Sequence, residues 1–509
     1  MVYIKSDPNQ TILLPTNLRD IIPKDHICFL IEEVVKQLDF SDFDKEVEGP
    51  GNPTYHPRIN LKIILNGVCE RITSTRQLEK LTIENIVFRY LSENLSPDFH
   101  TISMFRKDNK EIIKKCFLQT IEIAKKLDMV NLNKLYLDGT KIKANASRDK
   151  NFSKEEIEFL SELVDKQIEE TEKTDREEDK KYGESNGEIK IPENLTHKAK
   201  LQEKVKEMMK DVSKAKEQMD KAKTKINEEG EKEVNFTDMD SKVMKMKKGL
   251  HCEQAYNCQL LVEDKGEIIV GNYLSNSPND YHETEPTLEK FKKEQKIENL
   301  KEVELFQDNG YSCSATAEYH EREMSIAYIP DRDMTKKLHG KEVDKFDTIN
   351  FQLDFEKNQA ICPAGHRMEF FKKKVSKTNS WTNVYKASKC KECEFKEDCI
   401  YRHNTKRYIE INPLIRKISI RLDTKEGREK YNKRFHKGEI AQAHILHNLG
   451  YREFKCRGIE SCENEVNLFS TAYNLRKIYN KLKKNGERLC VNLLKILFFR
   501  NIIKMCYES

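Results

Sequence analysis

Apolar positions recur at helical spacing through the first quarter of the chain and change to strand-like patterns near its middle. Across residues 18–40, Ile21, Ile22, Phe29, Leu30, Val34 and Val35 supply the apolar positions of a helical reading, and after the turn-forming GPGNP at 49–53 the run HPRINLKIIL starts a second helix. Shorter helical patterns follow in TSTRQLEKL, NIVFRYLSENL and DFHTISMFRKDNKEIIKKCFLQTIEIAKKL, so residues 1–125 are expected to be a helical domain. Residues 132–137 are short, apolar and bounded by polar residues, which predicts a buried strand with Asp138 at its end. Asp-Gly is also a common turn dipeptide, so the residue types alone leave Asp138 open between turn and site.

From 152 to about 234 the chain is largely Lys and Glu. Ile157, Leu160, Leu163, Val164 and Ile168, and later Leu201, Val205, Met208, Met209 and Val212, predict two long helices forming an antiparallel hairpin inserted into the fold. Alternation over 255–262, a turn at 264–266 and a second run over 268–273 predict a β-hairpin. A helix over 285–294, a strand over 303–306 ending near Asp308, the helix SATAEYHER and the strand MSIAYIP come next. Tyr431 and Phe435, then Ile445 and Leu449, predict a helix ended by Gly450, with Glu439 interrupting its apolar stripe in a basic neighbourhood. GIESCENEVNLFSTAYNLRKIYNKLKK reads as an amphipathic helix, and a short apolar helix is expected over 489–503.

The chain has 509 residues, of which 35% are charged and 37% apolar, with a formal charge of only +5, so any nucleic-acid surface must be a local patch. No uninterrupted apolar run is long enough to span a bilayer, and MVYIKSDPNQ lacks a leader pattern, so a soluble cytoplasmic protein is expected. Among fourteen cysteines, Cys362, Cys390, Cys393 and Cys399 are spaced C-x27-C-x2-C-x5-C. Two such knuckles suit a closed, structural zinc site, with His366 in CPAGHRM as a reserve ligand.

Tyr431, Arg434 and Glu439, followed by His447, Asn448, Gly450, Tyr451, Phe454, Arg457 and Gly458, resemble the C-terminal signature of insertion-sequence DDE transposases. Asp138, Gly139, Thr140, Ala144 and Ala146 resemble that family's first motif, D-G-T-x-x-x-A-x-A, and Asp308 with Asn309, Gly310 and Tyr311 resembles its second. The order of helices around HPRINLKIIL and SPDFHTISMFRKDN is similar to the family's N-terminal domain, and Ala472, Asn474, Leu475 and Lys477 match a later stretch. The chain departs from the pattern at Ile440, Ala441, Gln442 and Ala443, and Leu446 stands where relatives carry a Lys, for which His444 or His447 is a substitute.

The resemblance implies an α+β or α/β fold: a ribonuclease-H-like mixed sheet with flanking helices, an N-terminal helical domain, an inserted helical hairpin and a small zinc-ribbon-like insertion. The implied boundaries are 1–125 for the DNA-binding helices, 126–150 and 235–350 for the first parts of the core, 151–234 for the hairpin, 351–415 for the Cys-rich insertion and 416–509 for the catalytic glutamate helix and the C-terminal helices. Asp138, Asp308 and Glu439 are then the catalytic acids and the ligands of two Mg²⁺ or Mn²⁺ ions in a phosphoryl transfer. Lys141, Lys143, Tyr431, Arg434, Arg457 and Arg106 are the implied DNA contacts, with Arg76, Arg89 and Lys107 nearby. Glu465 is the second choice for the third acid. The implied partners are double-stranded DNA, as element terminal repeats and target, and a second copy on the DNA, with no membrane, in a bacterial-type cytoplasm beside the nucleoid. Two alternatives stay open: a transposon-derived DNA-binding protein without catalysis, and a scaffold built on the charged arm.

Overall fold

The structure, a computed structural model, describes residues 17–46, 54–177, 195, 198–228, 230–246, 251–376, 380–400 and 405–484. The expected turn at 49–53 and the expected helix at 489–503 lie outside the described residues.

Thirteen strands occur among the described residues: β1 (Lys134–Lys143), β2 (Asn151–Ser153), β3 (Glu233–Asn235), β4 (Lys242–Lys245), β5 (Cys252–Glu263), β6 (Ile269–Ser275), β7 (Glu304–Phe306), β8 (Ile326–Tyr328), β9 (Gln352–Asp354), β10 (Gln359–Ile361), β11 (Arg367–Val375), β12 (Trp381–Ala387) and β13 (Tyr408–Ile411). In the central sheet β1 lies between β5, which is antiparallel to it, and β7, which is parallel; β8 continues parallel beyond β7, while β6 and β4 pair with the far edge of β5. This mixed order is consistent with the expected ribonuclease-H-like core.

β1 is buried along most of its length because both faces of the sheet are covered. Its alternate residues serve different layers. On one face Tyr136 stacks on Phe306 at 4.9 Å and Phe306 on Tyr328 at 4.7 Å, an aromatic row running across β1, β7 and β8. On the other, Gly271 of β6 lets Phe291 of the helix Thr284–Gln295 approach, and a Cβ there would meet that ring at 3.3 Å.

The N-terminal helices do not form a separate body. Leu30, Ile63, Phe105 and Phe117 belong to the same apolar cluster as Leu135, Leu261 and Leu305 of the sheet, and the long helix Ile459–Lys484 lies within that cluster. The charged arm has its own core, where Ile157, Leu160 and Val164 of the helix Lys154–Glu177 join Ala215, Met219 and Ala222 of the helix Val212–Asn227. Its return limb departs from the expected single helix. Lys198–Met208 ends, and Asp211 restarts the chain by accepting a 3.1 Å hydrogen bond from the Lys214 amide.

The Cys-rich segment forms a five-stranded antiparallel sheet, β13-β12-β11-β10-β9, around Phe351, Met368, Tyr385, Ile409 and Ile411. It is larger than the expected zinc ribbon and has an apolar core of its own. Ser314, at the start of the helix Ser314–Arg322, joins it to the central sheet by accepting from Trp381 N at 2.9 Å and Asn412 Nδ2 at 3.0 Å.

Candidate active site

Asp138 lies inside β1, 3% exposed, opposite Leu260 of β5. The parallel register pairs Tyr136 with Phe306, so two residues further along both chains Asp308 leaves β7 beside Asp138. Asp308 begins a single 3-10 turn, and its Oδ1 accepts the Gly310 amide at 2.7 Å. The Asp-Asn-Gly sequence therefore does make a turn, placed at the end of a central strand.

Glu439 reaches the same place from a helix that is not uniformly α. Lys425–Arg434 passes into a π turn at Phe435–Glu439, a short α segment at Ile440–Ala443 and a second π turn at His444–Asn448, and Gly450 closes it with φ of 77°. The predicted stripe is wrong at Phe435, which is 60% exposed. Ile445 and Leu449 are buried as expected, joined by Gly438, Ala441 and Gln442. Small residues let the helix approach β1: a Cβ on Gly438 would stand 3.5 Å from the Asp138 Cβ and 3.8 Å from that of Tyr136. The next residue is Glu439.

One guanidinium joins these groups. Arg434 lies 3.7 Å from Asp138 Oδ2 and 3.2 Å from Glu439 Oε1, with its side chain 13% exposed. Burial disfavours its charge, but Tyr431, Asp138, Asp308 and Glu439 outweigh that and hold its pKa above the usual arginine value. Tyr431, 5.6 Å under the guanidinium, is pushed up to about 12, first by burial, so it is a neutral phenol at physiological pH. Asp138, Asp308, Glu439, Tyr431 and Arg434 thus form one neighbourhood.

The other expected residues lie elsewhere. Lys143 pairs with Glu253 at 3.5 Å, Lys141 donates to the Lys245 carbonyl and Arg457 to the Asn145 carbonyl, all near the outer end of β1. There the exposed Arg452 and Lys455, which sequence reasoning passed over, extend a basic rim, and Phe454 N donates to Lys143 O. Arg106 is 3% exposed and donates to the Thr73 carbonyl, which makes it a packing group rather than a surface cation in this conformation. Glu465 is fully buried and accepts the Lys455 and Cys456 amides, so it serves the backbone. Leu446 packs against the main core. His444, edge-on to Tyr473, is lowered to about 4 by burial and then by Arg476, Lys477 and Arg71, while His447 bonds Arg452 at 3.0 Å. His444 is therefore neutral at physiological pH and supplies no cation at the Leu446 position.

The three acids present only hard oxygen donors, the set suited to Mg²⁺ or Mn²⁺. Among the described residues, however, no three His, Cys, Asp or Glu side chains are gathered closely enough to hold a metal ion. At the acids the reason is visible: Arg434 lies between Asp138 and Glu439. At the thiols, burial raises the Cys399 pKa, and Cys390, Cys362 and Cys393 raise it further while Arg407 opposes them, so the four sulfurs are neighbours without being closed around a point. Among the described residues no helix is long and apolar enough to cross a membrane.

Residues 361–479 match a family model described as a transposase DDE domain, and residues 16–108 match one described as a transposase domain (DUF772). The first stretch holds Tyr431, Arg434 and Glu439; Asp138 and Asp308 lie outside both. No curated protein matches the chain.

Proposed function

The chain belongs to the insertion-sequence DDE transposases, and from that premise we propose that it cuts the ends of a mobile element and joins their 3′ hydroxyls to target DNA. The observation that carries this reading is Arg434, a largely buried guanidinium in ion-pair contact with Asp138 and Glu439 and further stabilised in its charged form by Asp308.

Asp138, Asp308 and Glu439 would hold the divalent ions, which when bound lower the pKa of an attacking water and stabilise charge on the leaving oxygen. Release of the half-exposed Glu439 from Arg434 would free the guanidinium to grip a phosphate oxygen, a bidentate pairing that arginine suits. Tyr431, kept neutral, donates rather than repels beside the phosphate. Lys141, Lys143, Arg457, Arg452 and Lys455 supply the salt-dependent part of DNA binding along the rim. Pairing of two element ends calls for a dimer on DNA. Zinc at Cys362, Cys390, Cys393 and Cys399 is a separate proposal that rests on their spacing in the sequence, and metal analysis of purified protein tests it.

The test is cleavage of a plasmid carrying the DNA that flanks the coding sequence. Asp138→Asn is expected to abolish nicking in Mg²⁺ while end binding stays within a few-fold; a variant that still nicks contradicts the assignment. Leu446, packed partly buried against the core where relatives carry a Lys, favours a second reading, a DNA-binding protein without catalysis. End binding by the unaltered protein with no nicking in Mn²⁺ would select it.

A further inference from the structure

A fourth carboxylate stands behind the two strand-end aspartates. Asp280 lies in the loop between β6 and the helix Thr284–Gln295, where its main-chain carbonyl accepts the Glu283 amide. Its side chain is directed across to β5. Asp280 Oδ1 accepts hydrogen bonds of 2.8 Å from both Asn257 Nδ2 and Gln259 Nε2. Gln259 is opposite Gly139 in the β1–β5 register, and Gly139 follows Asp138. A Cβ on Gly139 would overlap Asp280 Oδ1 and come within 2.7 Å of Gln259 Nε2. On the other side, a Cβ on Gly310 would stand 3.4 Å from Asp280 Oδ2, and Gly310 is the residue whose amide holds the Asp308 carboxylate.

The Asp280 carboxylate therefore fills the gap between the main chain beside Asp138 and the turn that carries Asp308. Both flanking residues are glycines, so the backbones themselves close on the carboxylate. The network goes one step deeper. Gln259 donates to Asp280 through its nitrogen and accepts the Tyr311 hydroxyl through its oxygen, so Asp280 sets which way that amide points. Tyr311 is fully buried at the end of the Asp308 turn, and its pKa is driven well above the tyrosine value by burial, then by Asp280, Asp138 and Asp308. Without an acceptor at 280, two buried amide donors lose their partner and the Tyr311 anchor loses its orientation.

We propose that Asp280 is a positioning residue of the active site, fixing the separation of Asp138 and Asp308 by accepting from Asn257 and Gln259 between Gly139 and Gly310. The inference rests on the reading of Asp138 and Asp308 as the acids of a strand-cutting site. Asp280 acts as a double hydrogen-bond acceptor, not through its charge. An amide oxygen can accept the same two bonds, so Asp280→Asn preserves the frame and Asp280→Ala does not.

The experiment compares unaltered protein, Asp280→Ala, Asp280→Asn and Asp138→Asn in two assays, nicking of the flanking-DNA plasmid and Mn²⁺ binding followed by electron paramagnetic resonance. Melting curves check that each variant is folded. Asp280→Ala is expected to nick on the order of 10- to 100-fold more slowly, the effect of displacing a reacting group by about 1 Å, with unchanged DNA affinity and weakened Mn²⁺ binding. Asp280→Asn is expected to restore both to within a few-fold of the unaltered protein. Full activity and Mn²⁺ binding in Asp280→Ala overturn the proposal. So does an Asp280→Asn variant as impaired as Asp280→Ala, because the charge would then be what matters. If the unaltered protein neither nicks nor binds Mn²⁺, the transposase chemistry fails, an outcome distinct from either of these.

Discussion

Arg434→Gln separates the electrostatic role of the guanidinium from its packing. At an effective dielectric constant of about 20, unit charges about 4 Å apart interact by about 4 kcal/mol, and Arg434 has Asp138 at 3.7 Å and Glu439 at 3.2 Å. The shorter pair is the weaker contributor, because the Glu439 side chain is 39% exposed and screened by water, whereas that of Asp138 is 5% exposed. Removing one member of a buried pair costs about 3–5 kcal/mol, and the lower end is expected here because Gln keeps a hydrogen-bond donor. In chelator, then, Arg434→Gln should lose about 3 kcal/mol in urea unfolding. Adding Mg²⁺ or Mn²⁺ should restore more stability to the variant than to the unaltered protein, since carboxylates deprived of their fixed cation take one from solution. Placing Asp138→Asn in the Arg434→Gln background should remove that extra response. Equal stability in chelator, or equal metal response in both proteins, would refute the view that Arg434 compensates the three acids.

Acid should destabilise the fold through two histidines. His320 is lowered to about 3 by burial and then by Arg421, and His444 to about 4, so the folded state keeps both neutral while the unfolded chain protonates them below about 6.5. The unfolded state then binds more protons, and stability falls as pH drops from about 6.5 through the folded values; His320 alone should cost roughly 3 kcal/mol by pH 4.5. Unfolding measured from pH 7 to 4 checks this, and His320→Gln should flatten the decline. At the helix–strand contact, Gly438→Ala should fold and nick normally because its Cβ would make only ordinary contacts, whereas Gly438→Leu should push Glu439 off β1 and abolish nicking. Normal nicking by Gly438→Leu would refute the close approach.

The strands around the candidate site were readable because each sits in a local pattern. The short strand before Asp308 appears close to its expected bounds, whereas β1 continues to Lys143 and so carries Asp138 inside the strand and not at its end, and β5 starts at Cys252, ahead of the expected 255. The errors arise where local pattern and packing disagree. Phe435 is apolar and correctly spaced, yet the π turn rotates it to solvent, and the contact is made by Gly438 and Ala441, which no hydrophobicity count emphasises. Asp211 breaks the arm because its side chain caps a new helix, a choice hidden within a run of similar polar residues. Arg106 looked like a surface cation because basic residues usually are, and only the fold shows the Thr73 carbonyl waiting for it. Asp280 gave no signal, since Asn257 and Gln259 of β5 meet it only when β6 pairs with β5 and the loop after β6 folds back across that strand; the glycines at 139 and 310 were the available hint.

The helix Ile459–Lys484 explains how the N-terminal helices can be held in fixed relation to this site. Buried through most of its length, it would have little to set its rotation if all its contacts were apolar, because such contacts are non-directional. Three buried asparagines supply the direction. Asn464 donates to the Arg106 and Lys107 carbonyls, satisfying the end of the helix Phe99–Asp108. Asn467 accepts from Asn272 of β6 at 3.0 Å. Asn474 exchanges hydrogen bonds with both main-chain groups of Ile269 and donates to Thr120 of the helix Lys110–Lys126. A slip of one residue would leave all these groups unpaired, each at about 1–3 kcal/mol. The path from the N-terminal helices through β6 and β5 to Asp138 is therefore made of specific bonds, which hold those helices at a set distance from the acids rather than through a loose tether.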